Sequence, residues 1–410
     1  MSFFALPMVA CASDPAVESE APTEEVAAEE VASAQQALVA SAAEESFGLR
    51  PELMEPVREL ILSERHAEAR EVLEQRLATD PNDVEAALLL TAVDLLDEQY
   101  ESAHDLALAW LEVDPSELRL MERKAMAALL SQDLHAAKAD FEALVTELSQ
   151  WNRKSSLCEP LAGACAPVTA WLSDAKAGLA TVILSQGDVD GAENVAREQL
   201  TLQRGTEMPS ASHHFVLALA ASERGNLERA EALYRAVLEE APDSAAALNN
   251  LGGVFYERGD LATALQYYTQ AYEAAGIDRR GAAIAWINIA EIDMLEGRYE
   301  ESLEKLLEAT EISARYPGTY LSLGVLYDVM GKPELSQKHM EMGLRLDAEG
   351  VARRFMAFYK PEWGAHFNAL VAEQAGNYRE ARALWEQVAA GSVSALHATA
   401  RLHLARLAVL

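Results

Sequence analysis

An all-α solenoid of stacked helix pairs is the fold class that this 410-residue chain predicts. The first observation behind it is a step of 34 residues. Gly225, Ala230 and Tyr234 recur as Gly259, Ala264 and Tyr268, and Gly297, Ser302 and Leu306 recur as Gly331, Ser336 and Met340. Ala69, Ala103 and Ala137 keep the same step, as do Pro81 and Pro115. A period of that length marks one supersecondary unit repeated along the chain. The second observation is apolar residues at helical spacing within each unit. The third is composition: half the residues are hydrophobic, alanine, leucine and glutamate dominate, and β-branched runs are few. No run of 18 apolar residues occurs, so no internal membrane span is expected.

The elements of one unit can be read in order from LNNLGGVFYERGDLATALQYY, residues 248–268. Leu248, Leu251, Gly252 and Phe255 fall at i, i+3, i+4 and i+7, one stripe of a first helix. Gly259 stops that helix and Asp260 caps the next. Leu261, Ala264, Leu265, Tyr268 and Ala271 then form the stripe of a second helix. Gly252 and Ala264 are small where two backbones approach, and Tyr268 fills the space beside them. A phosphate-binding loop would need its glycines just after a strand, usually with a lysine following, and no lysine stands between Arg258 and Lys305.

This pattern resembles the tetratricopeptide repeat family. Leu248, Leu251-Gly252, Phe255, Gly259, Ala264, Tyr268 and Ala271 match its favoured positions. Ala218, Gly225, Ala230, Tyr234 and Pro242 match in the preceding unit, and Trp286, Ala290, Gly297, Ser302 and Ala309 in the following one. Tyr320, Leu323-Gly324, Tyr327, Gly331 and Ser336 match in the next. Weaker units are marked by Gly187 and Ala192 upstream and by Gly376, Ala381, Trp385 and Val388 downstream. Units around Ala69, Ala103 and Ala137 lack the Leu-Gly pair and rest on spacing. The resemblance implies a right-handed superhelical solenoid of about nine helix pairs over residues 49–392, with a C-terminal capping helix. Repeats are expected at 49–151 and 173–350, with a last repeat and capping helix at 362–410. Between them lie an inserted loop at 152–172 and a basic and aromatic segment at 351–361. The stretch from Gly350 to Trp363 that holds it, with Arg353, Arg354 and Lys360 among Phe355, Phe358, Tyr359 and Trp363, reads either as a contact loop or as an irregular packed turn.

The opening MSFFALPMVAC resembles the tail of a bacterial lipoprotein signal, in which Cys11 would become the acylated first residue. Met8 departs from the usual leucine and no basic residue precedes Cys11, so residues 1–11 read as a truncated signal or as a free cysteine near a terminus. Residues 12–48 are rich in alanine and glutamate with few bulky apolar side chains, the composition of a disordered acidic tether. Cys158 and Cys165 bracket Pro160 and Gly163 in the inserted loop. If Cys11 is acylated, they form an even pair suited to a disulfide in an oxidising compartment. Two reduced thiols are the alternative. A zinc site is disfavoured, because no second pair or adjacent histidine completes a tetrahedron.

The net charge is −33. Asp14 and eight glutamates stand in 12–47 without a lysine or arginine, whereas the last sixty residues carry seven basic and four acidic side chains. Most of the negative charge therefore lies on the repeats. Nucleic acid would be repelled by such a surface. A solvated exterior and attraction of a basic partner segment are the two readings left open.

No catalytic constellation emerges, and no metal or cofactor is expected. His213 and His214 are adjacent and point apart on a helix, and His397 and His403 are six residues apart and off one face. No serine occupies a nucleophile elbow. The resemblance implies instead that first helices line a groove for a partner. By position in the repeat, Asn249, Asn250, Gly253 and Tyr256 should face it in one unit, Asn288 and Glu291 in the next and Asp328 in the one after. Asn250 and Asn288 share a position at which the family often holds a partner's extended backbone. Basic side chains that would clamp an acidic tail are absent from these positions. The expected partner is a protein or peptide segment, with a membrane met only through an N-terminal lipid. The expected role is a periplasm-facing, outer-membrane-anchored scaffold for an envelope machine such as a pilus, secretion or gliding apparatus. A cytoplasmic adaptor or co-chaperone, and a regulatory partner of an enzyme on another chain, are the alternatives.

Overall fold

The structure, a computed structural model, describes residues 51–155, 165–203, 210–276, 278–347, 350, 352–353 and 361–409. Cys11, Cys158 and the acidic tether lie outside them, as does the side chain of Cys165. The described residues are helical throughout, with no strand among them. They divide into two compact units.

The first unit comprises the described residues up to 224 together with 235–242. Its helices are α1 (Pro51–Leu62), α2 (His66–Thr79), α3 (Val84–Leu96), α4 (Tyr100–Val113), α5 (Leu118–Leu130), α6 (Leu134–Ser155), α7 (Cys165–Ser185), α8 (Val189–Gln203) and α9 (Ala211–Glu223). Each packs on the next, and first helices also touch first helices, α3 on α5 and α7 on α9. Hairpins at Glu64, Glu98 and Gln132 turn through left-handed backbone, with φ of 57°, 58° and 68°. Those three positions are again 34 residues apart. For a residue with a side chain that conformation costs roughly 1–2 kcal/mol, and the packing of the hairpin on either side holds it. Of the expected loop 152–172, residues 152–155 continue α6 and 165–172 begin α7.

The second unit comprises 225–234 and the described residues from 243 onward. The helix α10 (Leu227–Glu240) gives it its first two turns. There follow α11 (Ala245–Glu257), α12 (Leu261–Ala274), α13 (Arg279–Leu295), α14 (Tyr299–Ile312), α15 (Pro317–Val329), α16 (Pro333–Leu346), α17 (Pro361–Gln374), α18 (Tyr378–Ala390) and a final α19 (His397–Leu407). Starts are set by side-chain caps: Ser244 accepts from the Ala247 amide, Asp260 from Thr263 and Asp278 from Gly281. Pro317 and Pro333 open α15 and α16, where their missing amide hydrogen costs nothing. Stops fall at Gly259, Gly297, Gly331 and Gly376, with φ of 80°, 81°, 71° and 73°.

A small residue faces a large one inside each central hairpin. A Cβ on Gly252 would meet the Tyr268 ring at 2.7 Å and the Ala264 carbonyl oxygen at 3.2 Å, and one on Gly324 would meet Met340 at 2.5 Å. Between them Ala290 and Leu306 hold the same positions, both buried, and Ser302 Oγ donates to the Ala290 carbonyl at 2.7 Å. Replacing Gly252 with alanine should therefore cost about 1–3 kcal/mol, because a ring packed on all sides and a backbone carbonyl must both give way. Urea midpoints of the two proteins, at unchanged slope, measure it.

First helices touch first helices here too, α11 on α13, α13 on α15 and α15 on α17. In the basic and aromatic segment, Arg353 Nε donates to Asp347 Oδ2 at 2.9 Å, and Trp363 is 2 % exposed in the core of α17. Those two residues serve packing. Arg354, Phe355, Phe358, Tyr359 and Lys360 lie outside the described residues.

Candidate functional site

Asn288 of α13 meets Asn249 of α11, and Glu291 of α13 meets Ser322 of α15; these residues and Asn250 of α11 are buried, the asparagines and Glu291 each at 2 % exposure or less. They do not line a water-filled hollow. Asn288 Nδ2 donates to Asn249 Oδ1 at 2.7 Å, and Ser322 Oγ donates to Glu291 Oε1 at 2.9 Å, so each bond ties one first helix to the next. Satisfaction stops there. Among the described residues, both amide atoms of Asn250, Asn249 Nδ2, Asn288 Oδ1, Glu291 Oε2 and Thr319 Oγ1 have no hydrogen-bond partner. A buried polar group left unpaired costs about 1–3 kcal/mol, and natural cores hold few of them. Burial also pushes the Glu291 carboxyl up to about 7, against the opposing bond from Ser322.

Tyr256 and Asp328, expected on the same face, are buried as well and make different contacts. Tyr256, at 1 % exposure, is part of the hydrophobic core that includes Tyr268 and Ile287. Asp328 is held in a separate ionic network that joins α15 to α17 and α19. Its Oδ2 accepts from His366 Nε2 at 2.7 Å and its Oδ1 from His403 Nε2 at 2.9 Å. His403 Nδ1 donates in turn to Glu373 Oε1 at 2.6 Å. Because ionised carboxylates only accept, both nitrogens of His403 carry hydrogen and the ring is an imidazolium. It lies against the Trp385 ring with centroids 4.2 Å apart, a cation on a π face. Trp385 Nε1 and Arg406 complete the partners of Glu373.

The electrostatics follow from these contacts. Burial opposes the charge on Asp328, but the bonds from His366 and His403 outweigh it and hold its pKa at about 2. Burial likewise opposes the His403 charge, and the two carboxylates raise it to about 9. Histidines at i and i+4 on one helix are the pattern a sequence displays, whereas this cluster is drawn from three helices. No group of three or more metal-ligating side chains among the described residues is arranged to hold an ion.

A second polar cluster lies in the first unit. Ser173 Oγ donates to His213 Nε2 at 2.7 Å and accepts from Gln203 Nε2 at 2.6 Å. Burial lowers the His213 pKa to about 4, so the ring is neutral. No carboxylate meets its Nδ1, so the third member of a hydrolytic triad is missing among the described residues.

Comparison with known proteins places the repeat signature in the middle of the chain. Residues 215–278, under a fifth of the chain, match the tetratricopeptide repeat family model. Among solved structures, the APC/C hetero-tetramer Cut9-Hcn1 is similar at 15 % identity and a TM-score of 0.47, over 80 % of this chain and 60 % of that one. This chain thus spans less than two thirds of that relative's length. A tetratricopeptide repeat protein from Parabacteroides merdae is similar at 13 % identity and a TM-score of 0.44, over 73 % of this chain and 99 % of that one. BtubC from P. vanneervenii is similar at 18 % identity and a TM-score of 0.39, over 53 % and 93 %. No curated protein matches.

Proposed function

We propose that this chain is a non-enzymatic interaction scaffold whose second unit holds a segment of another protein along α11, α13 and α15. The observation that carries this reading is the set of unpaired polar atoms on that wall, Asn250 foremost. A peptide main chain offers one donor and one acceptor per residue, the complement of a carboxamide with both ends free. Affinity capture with wild type and with Asn250→Leu tests it. Leucine matches the asparagine in size and removes two orphaned groups, so folding stability should hold or rise by up to about 1 kcal/mol while the captured partner is lost. Equal capture by both proteins would remove this wall as the docking face.

The finer reading is that the scaffold is exported, acylated at Cys11 and closed by a Cys158–Cys165 disulfide, and serves assembly of an envelope machine from the outer membrane. Its support is the residue pattern up to Cys11, the acidic tether and the even cysteine pair. Fatty-acid labelling that disappears in Cys11→Ser is the expected result. An unlabelled full-length product would return the cytoplasmic adaptor to first place.

A further inference from the structure

After Gln132 the next left-handed turn among the described residues is Gly187, so the 34-residue step of the first unit breaks between them. Polar side chains bridge the first helices at that break. Glu122 of α5 accepts from the Trp171 indole of α7. Asp174 stands three residues beyond Trp171 on the same face of α7, beside Glu122, and its Oδ1 accepts from Ser212 Oγ of α9 at 3.1 Å. Both carboxyls keep part of their surface in water, although protein surrounds most of each. Burial pushes Glu122 up, against the pull of the Arg123 guanidinium and the Trp171 bond. Burial, helped by the Glu122 charge, pushes Asp174 up to about 6 against the bond from Ser212. The other polar groups nearby leave Asp174 uncompensated. Arg123 serves Glu122, and Arg119 is held by Glu117 and Glu85. Gln203 of α8 and the neutral His213 of α9 bind Ser173, Lys176 and His214 act on His213, and α6 brings no charge to Asp174 among the described residues.

We infer that the junction of α5, α7 and α9 is a proton-operated device, tightened when Asp174 takes up a proton and loosened when Asp174 and Glu122 are both ionised. Two carboxylates facing each other across neighbouring helices repel, and the single guanidinium beside them is spent on Glu122. A protonated Asp174 ends that repulsion and no longer holds a charge away from water. Ser212 stays a suitable neighbour in both states, because a hydroxyl donates to a carboxylate and accepts from a carboxylic acid. The proton reaches Asp174 without unfolding, since the side chain is partly exposed. Its folded pKa lies above the ordinary 3.8, so the folded junction gains stability as pH falls through 6, and the gain levels off below 3.8. His213 in the same unit works the other way, because its ring is held neutral where the unfolded chain would protonate it. First helices set the spacing of consecutive hairpins, so the proton on Asp174 adjusts how closely the hairpins of the first unit approach at the break.

Amide exchange of the full-length chain, read as protection factors in α5 and α7, tests this against Asp174→Asn. Asparagine keeps the size and an oxygen for Ser212 but cannot take a charge. The ratio of wild-type to Asp174→Asn protection should rise about 10-fold between pH 8 and pH 5. His213 is common to both proteins and cancels from that ratio. A ratio unchanged with pH overturns the device. A second measurement needs no altered fold: the carbon-13 shift of the Asp174 carboxyl in the wild-type chain should titrate near pH 6, and in Glu122→Gln at lower pH. A wild-type midpoint at or below about 4, the ordinary aspartate value, overturns the proposal even if Asp174→Asn does not fold. A midpoint that Glu122→Gln leaves in place overturns the pairing across α5 and α7 on which the device depends.

Discussion

Replacing Asp328 with alanine should destabilise the C-terminal part of the second unit by about 3–5 kcal/mol, the usual cost of removing one partner from a buried ion pair. Asp328, His366 and His403 are at most 5 % exposed, so the imidazolium left behind cannot turn to water. Amide hydrogen exchange in α17 and α19 reads the effect locally, without assuming that a two-unit chain unfolds in one step. The same network sets a pH window. The folded pKa of His403, about 9, lies above its ordinary value of 6.5, so its stabilisation is complete below 6.5 and is lost as pH rises through 9. Asp328, held at about 2 against 3.8, contributes above 3.8 and loses that contribution as pH falls through 2. Protection of α19 should therefore fall at alkaline pH in wild type. A change below about 1 kcal/mol in Asp328→Ala would mean that apolar packing alone holds the last helix.

The second large effect belongs to Tyr268. Its ring fills the space opposite Gly252 at 1 % exposure, and Tyr268→Ala should cost about 3–5 kcal/mol through lost burial and the cavity left between α11 and α12. Its hydroxyl has no hydrogen-bond partner among the described residues, so Tyr268→Phe should stay within about 0.5 kcal/mol of wild type or gain slightly. The pair of variants separates ring from hydroxyl. A phenylalanine protein as unstable as the alanine one would contradict the packing described for this hairpin.

The hairpins were legible wherever glycine marked the turn. Gly225, Gly259, Gly297 and Gly331 adopt positive φ because a left-handed residue ends each first helix, and glycine does so without strain. In the early units the same turn is made by Glu64, Glu98 and Gln132, so only the spacing betrayed them. The polar positions of the first helices were legible by position and not by environment. Repeat register names Asn249, Asn250, Asn288 and Glu291, but whether such residues stand in water or in a dry layer depends on how closely first helices approach, which no single helix encodes. Asp328 shows the limit most sharply. Its partners His366 and His403 lie 38 and 75 residues away. Neither distance matches a period of one helix, and the bonds exist only because α15, α17 and α19 meet.

If the second unit binds a protein segment, its unpaired amides are the binding groups. Unfolding free energy with and without a peptide selected for binding to the chain, compared between wild type and Asn250→Leu, tests that most directly. At a peptide concentration 100-fold above Kd, wild type should gain about 2.7 kcal/mol, and Asn250→Leu at the same concentration should gain little. An equal gain in the two proteins would place the peptide elsewhere and show that these amides do not bind it.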